Sequence, residues 1–299
     1  MNLSDKNLLV IGLGLIGGSL AIAARQANAL SSVSGYDRNQ ESLKTAIRLG
    51  VVDKAESDLI PAVKAADIIF LAVPILATRS VLSLIQPHLK EGAVITDGGS
   101  TKGIVVSDAR RVLSETQLQN FIPGHPIAGA ERSGVEASNP DLYVNHRIIL
   151  TPIAESDASA LALITDLWKS VGADVDIMSV DHHDDVLAAT SHLPHLLAFN
   201  LVDTLAKNSE NREIFNYAAG GFRDFTRIAG SDPIMWHDIF MANRQSVLKV
   251  MDQYLDELHL LRNAVAHADG EYMKSVFTNA KESREYFTKL LSDRNNKIK

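Results

Sequence analysis

Cysteine is absent from the 299 residues. That one absence excludes a disulfide framework, thiolate-ligated zinc, iron–sulfur clusters and cysteine nucleophiles. Excess positive charge is missing too, since 29 Lys and Arg stand against 36 Asp and Glu, a formal charge of −7. The deficit is spread along the chain, with 15 basic and 19 acidic groups in residues 1–178 and 14 and 17 in residues 179–299. Neither half is a basic module and no run of like charge reads as a polyanion-binding tail, so no nucleic-acid partner is expected. Uncharged runs of membrane length are also lacking. Leu8–Ala24 invites a signal-peptide or membrane reading, but it has only 17 residues, four of them Gly, and Asp5 stands where a signal would be basic. The expectation is a soluble, cytoplasmic protein without a membrane partner.

What is present is ordinary globular composition, 46% apolar with a mean hydropathy of +0.02. A chain of this length suggests two domains and can bury on the order of 75% of its extended surface, so no structural metal is required. From residue 7 to about 178, short apolar runs alternate with helix-length segments. Leu8–Gly12, Ser32–Tyr36, Asp67–Val73, Ala93–Asp97, Asn120–Pro123, Arg147–Leu150 and Ala173–Met178 read as strands. Leu15–Ala27, Glu41–Leu49, Ala77–Leu84, Gly103–Ser114 and Ser156–Val171 read as helices. Unbroken apolar strands separated by helices imply an α/β, Rossmann-type doubly wound sheet.

Beyond residue 179 the strand signal stops. Val186–Asn208 carries an apolar stripe, and Pro233–His267 has neither Gly nor Pro after its first residue. Trp236, Ile239, Phe240, Val247, Val250, Met251, Leu255, Leu258 and Leu261 recur there at helical spacing. Ser231-Asp232-Pro233 is a good helix start, because Asp or Ser caps free N–H groups and Pro tolerates the first turn. A single helix over that span, about 50 Å long, would outreach one domain's core. It predicts packing against a second copy of the chain.

Gly12-Leu13-Gly14-Leu15-Ile16-Gly17 matches G-x-G-x-x-G, follows the first expected strand and opens a helix, with Asp37 twenty residues on. A dinucleotide needs that arrangement: Gly12 for the turn, Gly14 for close approach of the pyrophosphate, Gly17 for helix–strand packing, and N–H donors at the helix start. Asp37 suits the ribose hydroxyls of NAD, whereas the adjacent Arg38 can accommodate the phosphate of NADP or simply be a solvated cation. NAD is favoured. Val73-Pro74 ends a strand at the carboxyl edge, where ligands sit in such sheets, or merely terminates it.

Six of ten histidines fall between residues 125 and 195. Their spacing matches neither H-E-x-x-H nor a Cys/His zinc pattern, and neighbouring His on a helix point apart, so no metal site is expected. Hydride transfer from an alcohol needs a group to take the hydroxyl proton, and imidazole suits neutral pH. His125, in Gly124-His125-Pro126, follows a strand and should emerge near the nicotinamide, unless it is a histidine satisfied in a loop. Ser100, in Gly98-Gly99-Ser100-Thr101-Lys102, can cap the next helix, hydrogen-bond His125 or substrate, or both. Arg223 and Arg227 would share a helical face, where like charges call for an anion beside them. Asp224 adjoins Arg223 but should point elsewhere; a surface salt bridge is the alternative.

Taken in order, these blocks give the chain a resemblance, over essentially its full length, to the prephenate/arogenate (cyclohexadienyl) dehydrogenases of tyrosine biosynthesis. The matching residues are Gly12–Gly17 with Asp37; Gly98–Lys102; Gly124-His125-Pro126-Ile127-Ala128-Gly129 with Glu131 and Ser133-Gly134; Ser191-His192-Leu193-Pro194-His195; and Gly221–Ala229 with Ser231-Asp232-Pro233 and Trp236. The resemblance implies an NAD-binding Rossmann domain over 1–178 and an all-α substrate and dimerisation domain over 179–299. It implies oxidative decarboxylation of prephenate or arogenate, with no preference between them legible. By position, His125 matches the histidine that assists hydride loss, Ser100 the serine that orients it and the nicotinamide, and Arg227 the arginine that holds the ring carboxylate. Asp184, His192, His195, Arg223 and Trp236 match positions around the substrate's side chain. The matched blocks leave no room for the mutase or regulatory domain of some relatives, so tyrosine inhibition would act at the active site.

Two other readings are open to such a sequence. A β-hydroxyacid or imine oxidoreductase shares the plan but wants a catalytic Lys in the second domain, where no motif supplies one. A redox sensor that binds NADH without turnover wants a DNA-binding segment, which the even negative charge does not offer.

Overall fold

The computed structural model describes residues 2–129, 132–207 and 215–297. The chain forms two compact units, one ending at Val247 and the other beginning at Leu248.

The first unit is built on a six-stranded, wholly parallel sheet of β1 (Asn7–Ile11), β2 (Ser32–Tyr36), β3 (Lys54–Ala55), β4 (Ile68–Leu71), β5 (Val94–Asp97) and β6 (Phe121–Ile122). Its order is β3-β2-β1-β4-β5-β6, so the direction of winding reverses between β1 and β4. The helices between the strands are α1 (Leu15–Gln26), α2 (Gln40–Arg48), α3 (Leu59–Ala65), α4 (Thr78–Ile85), α5 (Gly103–Val112) and α6 (Glu115–Gln119). Strands buried on both faces require runs like Ile68-Ile69-Phe70-Leu71, all of it buried. Alternate residues feed two cores: Leu8, Val10, Ile68 and Phe70 on one face, and Leu9, Ile11, Ile69 and Leu71 on the other. Three of these helices are capped by the polar residue before them, with Asn39 bonding the N–H of Glu41, Asp58 that of Ile60, and Ser114 forming a capping box with Gln117.

All seven expected strands form, but not in one sheet. A short strand absent from the sequence reading, β7 (Gly124–Ile127), pairs antiparallel with β8 (Arg147–Leu150), which pairs parallel with β9 (Asp174–Ile177). Pro123 has no N–H with which to extend β6, and the chain turns into the smaller sheet there. β9 alternates Asp174 and Asp176 with apolar residues, as suits an edge rather than a buried strand. α7 (Ala158–Ser170) covers this region, its Trp168 meeting Phe70 edge-on at 5.7 Å between ring centroids.

After β9 the described chain is helical: α8 (Val180–Leu187), a five-residue π turn (Ala188–His192), α9 (Leu193–Lys207), α10 (Gly220–Thr226), a 3-10 turn (Arg227–Gly230) and α11 (Pro233–Ala242). Asp232 caps α11 through the N–H groups of Ile234 and Met235, with Pro233 in its first turn, as the sequence suggests. The single long helix expected over 233–267 is instead two, α11 and α12 (Arg244–Ala266), interrupted at Asn243 (φ −109°, ψ 31°). Asn243 turns inward, its amide donating to the Asp184 carbonyl at 2.8 Å, and that buried side-chain bond sets the interruption.

The second unit, residues 248–299, is the remainder of α12 followed by α13 (Gly270–Lys297). Leu248, Leu258, Leu260, Val265, Phe277 and Leu290 are exposed on it. No helix among the described residues is long and apolar enough to cross a membrane.

Candidate active site

The glycine-rich turn joins β1 to α1 at the point where the winding of the sheet reverses, the place where open α/β sheets bind ligands. Gly12 has φ +98°, and a Cβ there would lie 2.3 Å from the Ala72 carbonyl oxygen. A Cβ on Gly17 would lie 2.0 Å from the Gly12 oxygen and 2.9 Å from Val10 Cγ1, so only glycine lets α1 pack against β1. At Gly14 a Cβ would meet nothing within 4 Å, which leaves the backbone open on that side. No side chain caps α1, so the first-turn N–H groups of Leu15, Ile16 and Gly17 have no intrahelical acceptor. These residues fit a dinucleotide, because a pyrophosphate is the acceptor that an uncapped helix start favours. Asp37, just past β2, accepts from the N–H of Leu13 and of Asn39, both at 2.8 Å, and so braces the turn as well as facing it. Arg38 is exposed beside it. Val73 and Pro74 follow β4, with Pro74 opening a 3-10 turn (Ile75–Ala77) at the sheet's carboxyl edge.

The second half of the site begins where β5 ends. The Asp97 carboxylate accepts from the N–H of Gly99 at 2.8 Å and of Gly124 at 3.1 Å, and it pairs with the ammonium of the fully buried Lys102. Lys102 Nζ also donates to the Gly124 carbonyl at 2.6 Å. Asp97 and Lys102 thus tie the start of β7 to the carboxyl end of β5 and place His125 at that edge. His125 is therefore neither free nor in a loop, but on a strand and buried. Its Nδ1 lies 2.9 Å from Nε2 of His183 on α8, and His183 Nδ1 lies 2.8 Å from Asp184 Oδ1.

Electrostatics follow from this crowding. Burial, with the nearby His183, Lys102 and His192, holds the His125 imidazole well below its ordinary value, so it is neutral at neutral pH. Burial likewise lowers His183, against the pull of Asp184. Burial opposes ionisation of Asp184, yet hydrogen bonds from His183 and from the N–H groups of Lys102 and Gly103 hold its carboxyl below the usual range. Burial of the Lys102 ammonium lowers it, with Asp97 pulling the other way.

A row of side chains leads on from this cluster. Asn243 Nδ2 lies 3.2 Å from Nδ1 of the buried His192. His192 meets Trp236 edge-on at 6.1 Å, and Trp236 stacks on His195 at 3.7 Å and 24°. Trp236 Nε1 is buried without a protein acceptor. His195 Nδ1 bonds the Ser191 carbonyl at 2.8 Å, and the charge of Arg227 helps to depress the imidazole after burial. His125, His192, Trp236, His195 and Arg227 are accordingly brought together.

Three expectations change. Asp184 also has a structural task, since its oxygens accept the Lys102 and Gly103 N–H groups, both at 2.8 Å, and cap α5 from α8. Ser100 therefore does not cap α5, nor does it bond His125, whose partner is His183. Arg223 is 80% exposed and does meet Asp224, at 3.3 Å, contrary to the expectation that i+1 neighbours diverge. His183, Lys102, Asp97 and Asn243 were not anticipated. A helical stripe of His183, Asp184, Leu187 and Ala188, all buried, was the available signal for the first. Glu131 lies outside the described residues.

Two family models match consecutively: prephenate dehydrogenase, nucleotide-binding domain, over residues 20–177, and prephenate dehydrogenase, dimerization domain, over 179–279. The cyclohexadienyl dehydrogenase of Zymomonas mobilis is 37% identical over 281 residues, 93% of this chain and 95% of that one. The prephenate dehydrogenase of Bacillus subtilis is 37% identical over 288 residues, covering 95% of this chain and 77% of the relative. Among solved structures, prephenate dehydrogenase from A. aeolicus, in complex with hydroxyphenyl propionate and NAD+, superposes with a TM-score of 0.89 at 38% identity, covering 96% of this chain and all of that one. Synechocystis arogenate dehydrogenase gives 0.80 at 28% identity, over 94% and 99%. With the two models matched one after the other over residues 20–177 and 179–279, which hold His125 and His183, the chain belongs to the prephenate dehydrogenase family.

Proposed function

We propose that the protein oxidatively decarboxylates prephenate, arogenate or both, with NAD+ as hydride acceptor. The observation that carries this is His125, a buried neutral imidazole held at the sheet's carboxyl edge and joined by the row of His192, Trp236 and His195 to Arg227. The A. aeolicus relative, solved with NAD+ and a hydroxyphenyl acid, supports the pairing of cofactor and ring substrate.

NAD+, when bound, supplies the hydride acceptor; the protein's own residues hold the reactants and move a proton. The Gly12–Gly17 turn and the free N–H groups of α1 receive the pyrophosphate, and Asp37 favours ribose hydroxyls over a 2′-phosphate. His125 takes the ring hydroxyl proton as the C–H bond is lost, leaving a ring carbonyl. That carbonyl draws the electrons of the C–CO₂⁻ bond into the ring, CO₂ departs, the carbonyl oxygen takes the proton back from His125, and the ring becomes an aromatic phenol. Aromatisation supplies the driving force, so one base is enough. Arg227 binds the ring carboxylate as an ion pair until it leaves, and His195 with Trp236 and His192 lines the side-chain end.

We further propose a cytoplasmic homodimer, divided near residue 178 into a dinucleotide half and a helical half. The dimerization-domain match and the exposed leucines and Phe277 of residues 248–299 support it. NADH absorbance measured with prephenate and with arogenate, each with NAD+ and NADP+, tests the reaction; no turnover with any pair would refute it. Sedimentation equilibrium tests the dimer.

A further inference from the structure

We propose that His183 and Asp184 form a positioning pair that fixes the tautomer of His125, keeping the proton on Nδ1 and the lone pair on Nε2. The inference rests on the reading of His125 as proton acceptor.

The chain of hydrogen bonds starts at Asp184. An ionised carboxylate only accepts, and Asp184 already accepts the backbone N–H groups of Lys102 and Gly103 at 2.8 Å each. The 2.8 Å contact to His183 therefore puts a proton on His183 Nδ1. A neutral imidazole carries one proton, so His183 Nε2 has a lone pair, and the 2.9 Å contact to His125 is a bond donated by His125 Nδ1. His125 Nε2 is then unprotonated, the state a base needs. The other charged or titratable neighbours of the pair are Lys102, Asp97 and His192, and of these Asp97 alone pulls His183 toward protonation. Lys102, from the β5–α5 connection, is cationic and opposes an imidazolium; Asp97 is occupied by Lys102, Gly99 and Gly124; and His192, from the π turn, accepts from Asn243.

In the reaction the substrate O–H bond breaks and an N–H bond forms at His125 Nε2. The resulting imidazolium keeps its Nδ1 proton, donated to His183, and the Asp184 charge stabilises it through that bond. The proton does not travel along the pair. Such a carboxylate-held tautomer is the logic of the histidines of hydrolytic triads, here with a second imidazole interposed.

Nitrogen NMR of histidine-labelled protein reads the tautomer directly, with the His125 signals identified by their loss in His125→Asn. The expected wild-type result is a proton on Nδ1; a proton on Nε2 overturns the proposal without any variant. In His183→Leu the acceptor is gone, and a mixture of His125 tautomers is expected, with kcat lowered about 10- to 100-fold and KM little changed. His183→Gln, whose Oε1 restores an acceptor, should recover most of that loss. If His183→Leu keeps both a pure Nδ1–H tautomer and full kcat, the pair does no positioning. An unimpaired His125→Asn would instead sink the reading of His125 as base and leave the tautomer result standing.

Discussion

Asn243 and His192 meet at 3.2 Å across the interruption between α11 and α12, and because the same amide donates to the Asp184 carbonyl, His192 Nδ1 is the accepting partner. His192 Nε2 therefore bears the proton, and the site presents a donor there. Replacing Asn243 with Leu removes both bonds and leaves a buried carbonyl and ring nitrogen unpaired. A stability loss of about 1–3 kcal/mol is expected in urea unfolding, and an unchanged midpoint would show the contacts to be idle.

His125→Asn should retain dinucleotide binding, since the Gly12–Gly17 turn is untouched, but lose about 10²- to 10⁴-fold in kcat. Fluorescence titration with NADH and steady-state rates separate the two. An unchanged kcat would remove His125 from the chemistry.

Arg227→Ala should act mainly on KM for prephenate. A lost charge-assisted hydrogen bond of about 1.5–3 kcal/mol corresponds to a rise of roughly tenfold or more. Initial rates over a range of prephenate decide it, and an unaffected KM would take Arg227 away from the carboxylate.

Acid should weaken the protein in a defined direction. Burial pulls His192 down from 6.5 to about 4, so the unfolded chain binds a proton there before the folded one does. The stabilisation is whole above about 6.5 and is lost as pH falls through the window down to about 4, at about 1.4 kcal/mol per unit. His125 and His183, also depressed by burial, add to the slope. Melting temperature against pH measures the sum. The same depression keeps His125 in its base form, so kcat should stay flat through pH 6.5 and fall only below it. A kcat that falls around pH 6.5 would contradict the depression.

Gly17→Ala places a methyl group 2.0 Å from the Gly12 oxygen. The backbone must shift where the pyrophosphate would lie, and NADH affinity should drop sharply in a calorimetric titration. Gly14→Ala, with open space at its Cβ, should fold normally, and any weakening there reports the ligand rather than the fold.

What could be read beforehand depended on whether a residue's neighbours were local. The Gly12–Gly17 turn with Asp37 was legible because turn, helix start and strand end lie within a few tens of residues, and the strands declared themselves as apolar runs. The smaller sheet was not, since β7 is four residues containing Pro126 and pairs with a strand some twenty residues away. His125 was visible as a histidine after a strand, but its orientation comes from His183, 58 residues distant. The capping task of Asp184 is not legible, because only the fold reveals that α5 lacks a cap of its own and borrows that carboxylate. Asn243 was hidden inside an unbroken helical periodicity.

The π turn of Ala188–His192 carries a consequence for chain length. Between His183 and His192 an uninterrupted α-helix would turn through about 900°, setting the two imidazoles on opposite faces. The wider turn amounts to one inserted residue, as π turns at functional sites commonly do, and it swings His192 back toward the side of His183. Deleting one residue there, such as the exposed Ala189, would restore regular winding with the downstream phase kept, since eight steps of about 100° also leave His192 within about 80° of His183. A single-codon deletion within the turn should therefore keep both imidazoles on one side and leave the helix content intact, whereas the same deletion in a regular helix would turn everything after it by about 100°.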